Sequence, residues 1–263
     1  MKKLVLIAGA LATLAAATSA HAADDLIKRI KDRGALRVCQ ISYTPYNVKD
    51  PRTNEWAGIN VDLVKAIAQN LKVKIEDVDS TFTTVIAALQ TDKCDISAGA
   101  TYVNPTRAEQ VLFTQTYAAD TKTIVVLDSS KVASVEDLDK PGVTISVRAG
   151  STEEVYAKNL FKKATVRATT SDATQPHLME VATGRADAAF AGFTGAYVFS
   201  DKNPNLKLKL IDSVKLDPSP FALMLPLGEY HFQQYVDIVI NQMRKSGEMD
   251  KIVAHWFPQK DAK

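Results

Sequence analysis

The sequence predicts an α/β protein built from parallel sheet units. Short β-branched runs alternate with amphipathic helical stretches, the alternation starts a second time near residue 120, and no Pro/Gly/Ser-rich linker separates the two series. Two regions joined by ordinary short crossings suit a hinge better than independent beads. Of 263 residues, 46% are hydrophobic and 24% charged, with 11 Gly and 10 Pro, which excludes disordered, collagen-like and disulfide-dense small proteins. The formal charge of +2 traces to Lys2 and Lys3 in a leader. The rest is balanced, without the basic surplus of a nucleic-acid binder.

The leader comes first in order. Met1-Lys2-Lys3 precedes an apolar stretch from Leu4 to Ala17, and Ala20-His21-Ala22 forms an A-x-A site, so residues 1–22 read as a signal peptide cut before Ala23. The apolar stretch is shorter than the ~20 residues of a spanning helix. A lipid anchor needs a cysteine at the cleavage point, but the chain's two cysteines are Cys39 and Cys94. The expected destination is the periplasm, where these two are a candidate disulfide, with separately buried thiols as the alternative.

The first series follows. Leu26 to Lys31 reads as a short charged helix stopped by Gly34, then Ala35 to Ile41 as a strand leading into the loop Ser42-Tyr43-Thr44-Pro45-Tyr46. Val61 to Leu71 carries apolar residues at helical spacing, Val73 to Val78 alternates as a strand, Thr84 to Leu89 is helical, and Asp95 to Ala100 is a small-residue strand. In the second series the strands are Thr123 to Leu127, Val143 to Val147 and Ala186 to Ala191. Its helical segments are Ser134 to Leu138, Leu178 to Thr183, and Glu153 to Lys162 with a hydroxyl cap and an acidic first turn. Tyr230 to Trp256 reads as two amphipathic helices joined at Ser246-Gly247-Glu248.

Much chemistry is missing from the sequence. No P-loop, dinucleotide fingerprint, H-E-x-x-H or C-x-x-C run occurs, and no cofactor is expected. His177, His231 and His255 lack metal-ligand spacing and read as ordinary surface or interface residues. Ala149-Gly150-Ser151-Thr152-Glu153 lacks the flanking glycines of a nucleophile elbow. Ser151 and Thr152 instead suit a helix N-terminus, whose free N–H groups and dipole favour an anion.

Several segments together resemble the periplasmic solute-binding proteins of amino-acid ABC importers, family 3 type. They are Gly34 to Val38 with Tyr43 to Tyr46, Gly58 to Leu63, Asp95-Ile96-Ser97 leading to Asn104-Pro105-Thr106-Arg107, Phe113 to Tyr117, Gly150-Ser151-Thr152, Gly184 to Ala188, and Ser246 to Trp256. The resemblance implies a two-lobed clamshell, each lobe a mostly parallel sheet flanked by helices, joined by a two-strand hinge. Residues 23–119 would form lobe 1, 120–216 lobe 2, and 217–263 the return to lobe 1 with the C-terminal helices. It further implies a monomer that captures an amino acid or small carboxylate and delivers it to an ABC permease with a separate ATPase. Contact with the membrane would run through the permease alone, and no nucleic acid is involved.

The same resemblance assigns roles. Arg107 matches the arginine whose planar fork binds the ligand carboxylate, Ser151 and Thr152 add donors from the second lobe, and Tyr43 and Phe82 match the aromatic walls. Where the family often has serines, this chain has Gly99, Ala100, Thr101 and Tyr102, which makes Thr101 and Tyr102 candidate pocket residues. Gly192 stands where the family's ammonium-binding aspartate belongs. Lys122 resembles a lysine of cyclohexadienyl dehydratases on the same fold. Arg107 and Lys122 without that aspartate favour a ligand with extra negative charge or no ammonium, such as a dicarboxylate, hydroxy acid or acidic amino acid. An enzyme of the dehydratase type is the alternative, but Gly195 occupies its catalytic-acid position, and Glu153 and Glu154 do not match it. The reading is therefore a binding protein and not an enzyme, with a clamshell sensor or adhesin as a third class.

Overall fold

The computed structural model describes residues 25–171, 173–211, 214 and 218–257, so the expected signal peptide lies outside it. Helix α1 (Leu26–Arg33) begins where the Asp25 carboxylate accepts the Ile27 N–H. It ends at Gly34, whose φ of 73° lets the chain turn directly into β1 (Ala35–Gln40). A two-stranded hairpin of β2 (Val48–Lys49) and β3 (Trp56–Ala57) precedes α2 (Ile59–Leu71), β4 (Lys74–Asp79), α3 (Val85–Gln90) and β5 (Ile96–Tyr102). A single-turn α4 (Pro105–Ala108), β6 (Leu112–Phe113) and β7 (Ala118–Asp120) complete the first region. Past Thr121 the chain enters a second sheet.

That region comprises β8 (Lys122–Leu127), α5 (Val135–Leu138), β9 (Thr144–Arg148), α6 (Thr152–Leu160), β10 (Thr165–Thr169), α7 (Pro176–Ala182), β11 (Ala188–Gly192), α8 (Phe193–Lys202) and β12 (Leu208–Ile211). The chain then returns through β13 (Ser219–Leu225) to α9 (Tyr230–Lys245) and α10 (Glu248–Trp256). The first sheet has the order β4-β1-β5-β13-β6, with β7 also pairing β13, and the second the order β10-β9-β11-β8-β12. In each, three strands run parallel, and the strands flanking the crossings, β13 in one and β8 with β12 in the other, are antiparallel to their neighbours.

Each sheet has its own apolar core. Leu36 and Val38 of β1 pack with Leu63 and Ile67 of α2 and with Phe232, Val236 and Ile240 of α9, all fully buried. Ile145, Val147 and Phe190 of the second sheet pack with Ala157 and Phe161. Each such large side chain contributes about 1.5–3 kcal/mol by leaving water. Separate cores let each lobe hold its shape independently of the other. Cys39 and Cys94 form a disulfide, with Cα atoms 5.6 Å apart, tying the end of β1 to the start of β5 within a smaller cluster around Ile41, Leu89 and Met224.

Candidate functional site

The carboxyl ends of the parallel strands from both sheets face one crevice, where open α/β sheets commonly bind ligands. From lobe 1, Ser42 and Tyr43 follow β1, and Tyr102 ends β5 just before α4. From lobe 2 come Arg148 to Thr152 after β9, and Gly192 at the end of β11.

Arg107 sits in α4, whose N-cap Asn104 accepts the Arg107 N–H at 2.9 Å and whose first residue is Pro105. Its guanidinium donates from Nη1 to the Tyr102 carbonyl at 3.0 Å and to Thr152 Oγ1 at 3.1 Å, and from Nη2 to the Gly150 carbonyl at 3.0 Å. It therefore reaches from its own lobe to the N-terminus of α6. Burial pulls its pKa down, against an opposing pull from Glu153. Ser151 is the N-cap of α6, accepting from the Glu154 N–H and donating to the Arg148 carbonyl, so its hydroxyl is committed within its own lobe. Thr152 faces Arg107.

Tyr43 and Phe82 meet edge to face, with centroids 6.1 Å apart. Together with Tyr102, Arg107, Thr152 and Glu153 they border a closed space of about 10 Å³, room for about one water molecule. A wider space of about 380 Å³ adjoins it on the other side of Arg107, lined by Asn104, Gly150, Thr152 and Tyr156. Thr101 lies buried in β5 opposite Ala222, its hydroxyl unpartnered, and does not border this space.

Lys122 is not a solvated surface lysine. It is 2% exposed, its Nζ donates to Ser219 Oγ at 2.5 Å and sits 3.8 Å from the centroid of the Tyr102 ring. Burial lowers its pKa, and Glu153 and Asp120 oppose the shift. The reading of His177 as a surface or interface residue is corrected by the structure. Its imidazole is 3% exposed, because α7 begins at Pro176 and packs this turn inward, and burial with nearby Arg148 pushes its pKa down to about 3. It is a neutral, internal group whose Nδ1 has no partner. Arg148 bonds across the lobes to the Ser42 carbonyl, and Ser42 Oγ lies 3.2 Å from Thr174 Oγ1.

Two carboxylates join the site beyond the residues expected from the sequence: Asp120, which nothing in the sequence singles out, and Glu153, which does not match the dehydratase acid. Glu153, in the first turn of α6, is buried with Oε1 unpartnered and faces the closed space, whereas Glu154 turns back to the Gly150 N–H and to Lys158. Asp120, at the end of β7, is 5% exposed and caps α8: Oδ1 accepts from the Thr121 N–H at 2.9 Å, Thr194 Oγ1 at 2.9 Å and the Thr194 N–H at 3.1 Å. Burial raises its pKa to about 6 although these donors pull it down. Gly192, paired with Lys122 across β11 and β8, lies under Tyr43, Tyr102 and Asp120. Among the described residues no three His, Cys, Asp or Glu side chains cluster as a metal site.

The comparisons agree with this architecture. The family of bacterial extracellular solute-binding proteins, family 3, matches residues 36–259. Cyclohexadienyl dehydratase of Pseudomonas aeruginosa is 29% identical over 261 residues, covering 97% of this chain and 94% of that protein. The arginine-binding extracellular protein ArtP of Bacillus subtilis is 25% identical over 215 residues, 82% of each chain. Among solved structures, an ancestral amino acid-binding protein that is a precursor of cyclohexadienyl dehydratase superposes with a TM-score of 0.80 at 33% identity, over 88% of this chain and 99% of that one. An ancestral arginine-binding protein bound to glutamine gives 0.79 at 30%, over 86% and 98%. With two sheets, a crevice between them and a match along nearly its whole length, the chain belongs to the bacterial extracellular solute-binding proteins, family 3.

Proposed function

We propose that this protein captures a small carboxylate, most simply an amino acid, between its two lobes in the periplasm and presents it to an ABC permease whose ATPase is a separate chain. The observation that carries the reading is Arg107, which spans the crevice from α4 to the Gly150 carbonyl and Thr152 hydroxyl. A ligand carboxylate entering there would take the guanidinium fork on one side and the N-terminus of α6 on the other, so one anionic group would favour closure. The lobes in this reading are 23–119 with 217–263, and 120–216, opening about the crossings near Thr121 and between β12 and β13. Tyr43 and Phe82 wall the ligand. ArtP and the ancestral proteins, named for arginine or amino-acid binding, support the ligand class.

One observation favours an enzymatic second reading: Glu153 is a buried carboxylate with a free oxygen in the same space as Arg107, and a dehydratase is among the relatives. General acid catalysis would need that carboxyl beside the leaving group. Against it, Lys122 is engaged by Ser219 and the Tyr102 ring, and Gly195 has no side chain to donate a proton.

The two separate in one screen. Mature protein, stripped of ligand by unfolding and refolding, is heated with amino acids, dicarboxylates, hydroxy acids and prephenate, and prephenate consumption is followed in parallel. Binding to the folded form raises the melting temperature by mass action. The transport reading expects a shift with an amino acid or small carboxylate and intact prephenate. Turnover of prephenate transfers the protein to the second reading.

A further inference from the structure

The aspartate that the family resemblance places at position 192 is absent, yet the place it would fill is crowded with oxygen. A Cβ built on Gly192 would stand 2.2 Å from Tyr43 Oη, 2.9 Å from Asp120 Oδ2 and 2.9 Å from Tyr102 Oη. Both phenol hydroxyls are buried and have no hydrogen-bond partner, although buried polar groups are nearly always paired. Asp120 is held by the Thr121 and Thr194 donors, three of the four bonds on Oδ1, so Oδ2, with a single 3.2 Å bond from the Thr194 N–H, keeps acceptor capacity on the side of Gly192 where the two phenols lie. Three acceptor oxygens thus converge over a bare α-carbon, one of them on a carboxyl group. An ammonium group, with three donors and a positive charge, matches that set.

The chain's topology explains how the acid could change place. β8 runs antiparallel to β11 with Lys122 opposite Gly192, so Asp120, two residues before Lys122, comes beside the end of β11. Any side chain at 192 would occupy the point where the three oxygens meet, so glycine at 192 and a carboxylate at 120 are two halves of one arrangement.

We infer that Asp120, with the hydroxyls of Tyr43 and Tyr102, forms the seat for the ligand's α-ammonium group in place of the missing aspartate, so that the ligand is a zwitterionic α-amino acid. The inference rests on the carboxylate-capture reading above and, of the ligands expected from Gly192 and Lys122, departs from the dicarboxylates and hydroxy acids while keeping the acidic amino acids.

Calorimetry on the stripped, mature protein compares each amino acid with the acid that differs from it only in lacking the α-ammonium: L-glutamine with glutaramate, L-arginine with 5-guanidinopentanoate, L-lysine with 6-aminohexanoate, L-glutamate with glutarate. At least one amino acid is expected to bind about 100-fold or more tightly than its partner, and Asp120→Asn to shrink that ratio at least tenfold by weakening the amino acid, the partner acid binding no more weakly than to wild type. A wild-type ratio near one, or a ratio unchanged in folded Asp120→Asn, overturns the inference and leaves carboxylate capture standing. Binding by neither series overturns both. Should Asp120→Asn fail to fold, Tyr102→Phe, which removes one of the three oxygens and keeps the ring, decides: a lowered ratio supports the seat, an unchanged one overturns it.

Discussion

Replacing Arg107 by alanine removes a guanidinium that makes three hydrogen bonds, one to Tyr102 in its own lobe and two to Gly150 and Thr152 in the other. The fold should survive, because the Asn104 cap of α4 is made to the backbone N–H of residue 107 and any side chain keeps it. Binding should not. In the ligand complex the donors now facing Gly150 and Thr152 would turn to the ligand carboxylate, and deleting one partner of a buried hydrogen-bonded charge pair costs about 2–5 kcal/mol. At ~1.4 kcal/mol per decade this weakens binding by roughly 30- to 4,000-fold. Arg107→Lys retains the charge without the planar fork and should fall between alanine and wild type. Titration calorimetry with the best ligand of the thermal screen, on variants whose melting temperatures lie near wild type, gives the numbers. An alanine variant within threefold of wild type refutes the placement of the carboxylate at Arg107.

Three further consequences concern the frame around the site. The Cys39–Cys94 bond closes a loop with a sequence separation of 55, worth about 4 kcal/mol of chain entropy, so reduction should lower the urea midpoint markedly and an unshifted midpoint contradicts the bond. Gly150 has φ 72°, and a Cβ there would meet the backbone N of Thr83 at 2.8 Å and the backbone C of Phe82 at 2.9 Å, so Gly150→Ala should obstruct closure and weaken binding at least tenfold. Unchanged affinity would place the bound state in a more open geometry. His177 has a folded pKa near 3 against an ordinary 6.5, so its neutral form is the one that fits the fold. Its stabilising contribution is full above about pH 6.5 and is lost as pH falls from there toward 3, at most about 5 kcal/mol. Urea midpoints followed over that window should fall more steeply in wild type than in His177→Gln, and parallel curves contradict the burial argument.

Periodicity made much of this fold legible. The apolar spacing of α2 and α9, the hydroxyl and acidic start of α6 and the β-branched runs of β8 and β9 mark those elements within a residue or two of where they lie. β13 was not legible: it begins with Ser219-Pro220 and continues as an apolar run without alternation, because it is buried between strands far away in sequence. α8 starts directly from Gly192 with no hydroxyl cap of its own, its cap coming from Asp120, 74 residues before Thr194. Arg107 could be found because Asn104 and Pro105 announce a helix start in its own neighbourhood. Asp120 could not, since its place over Gly192 depends on the antiparallel register of β8 and β11. Glu153 looked like one more acid in a helix's first turn until the crevice closed over it.

In the proposed function one α-amino acid is held between the lobes of this protein. Isothermal titration of the stripped, mature chain with the ligand of greatest thermal shift tests it most directly, run for wild type and Arg107→Ala side by side. The expected result is saturable one-to-one binding that the substitution weakens at least about 30-fold. Absence of heat for every amino acid, or binding indifferent to Arg107, contradicts it.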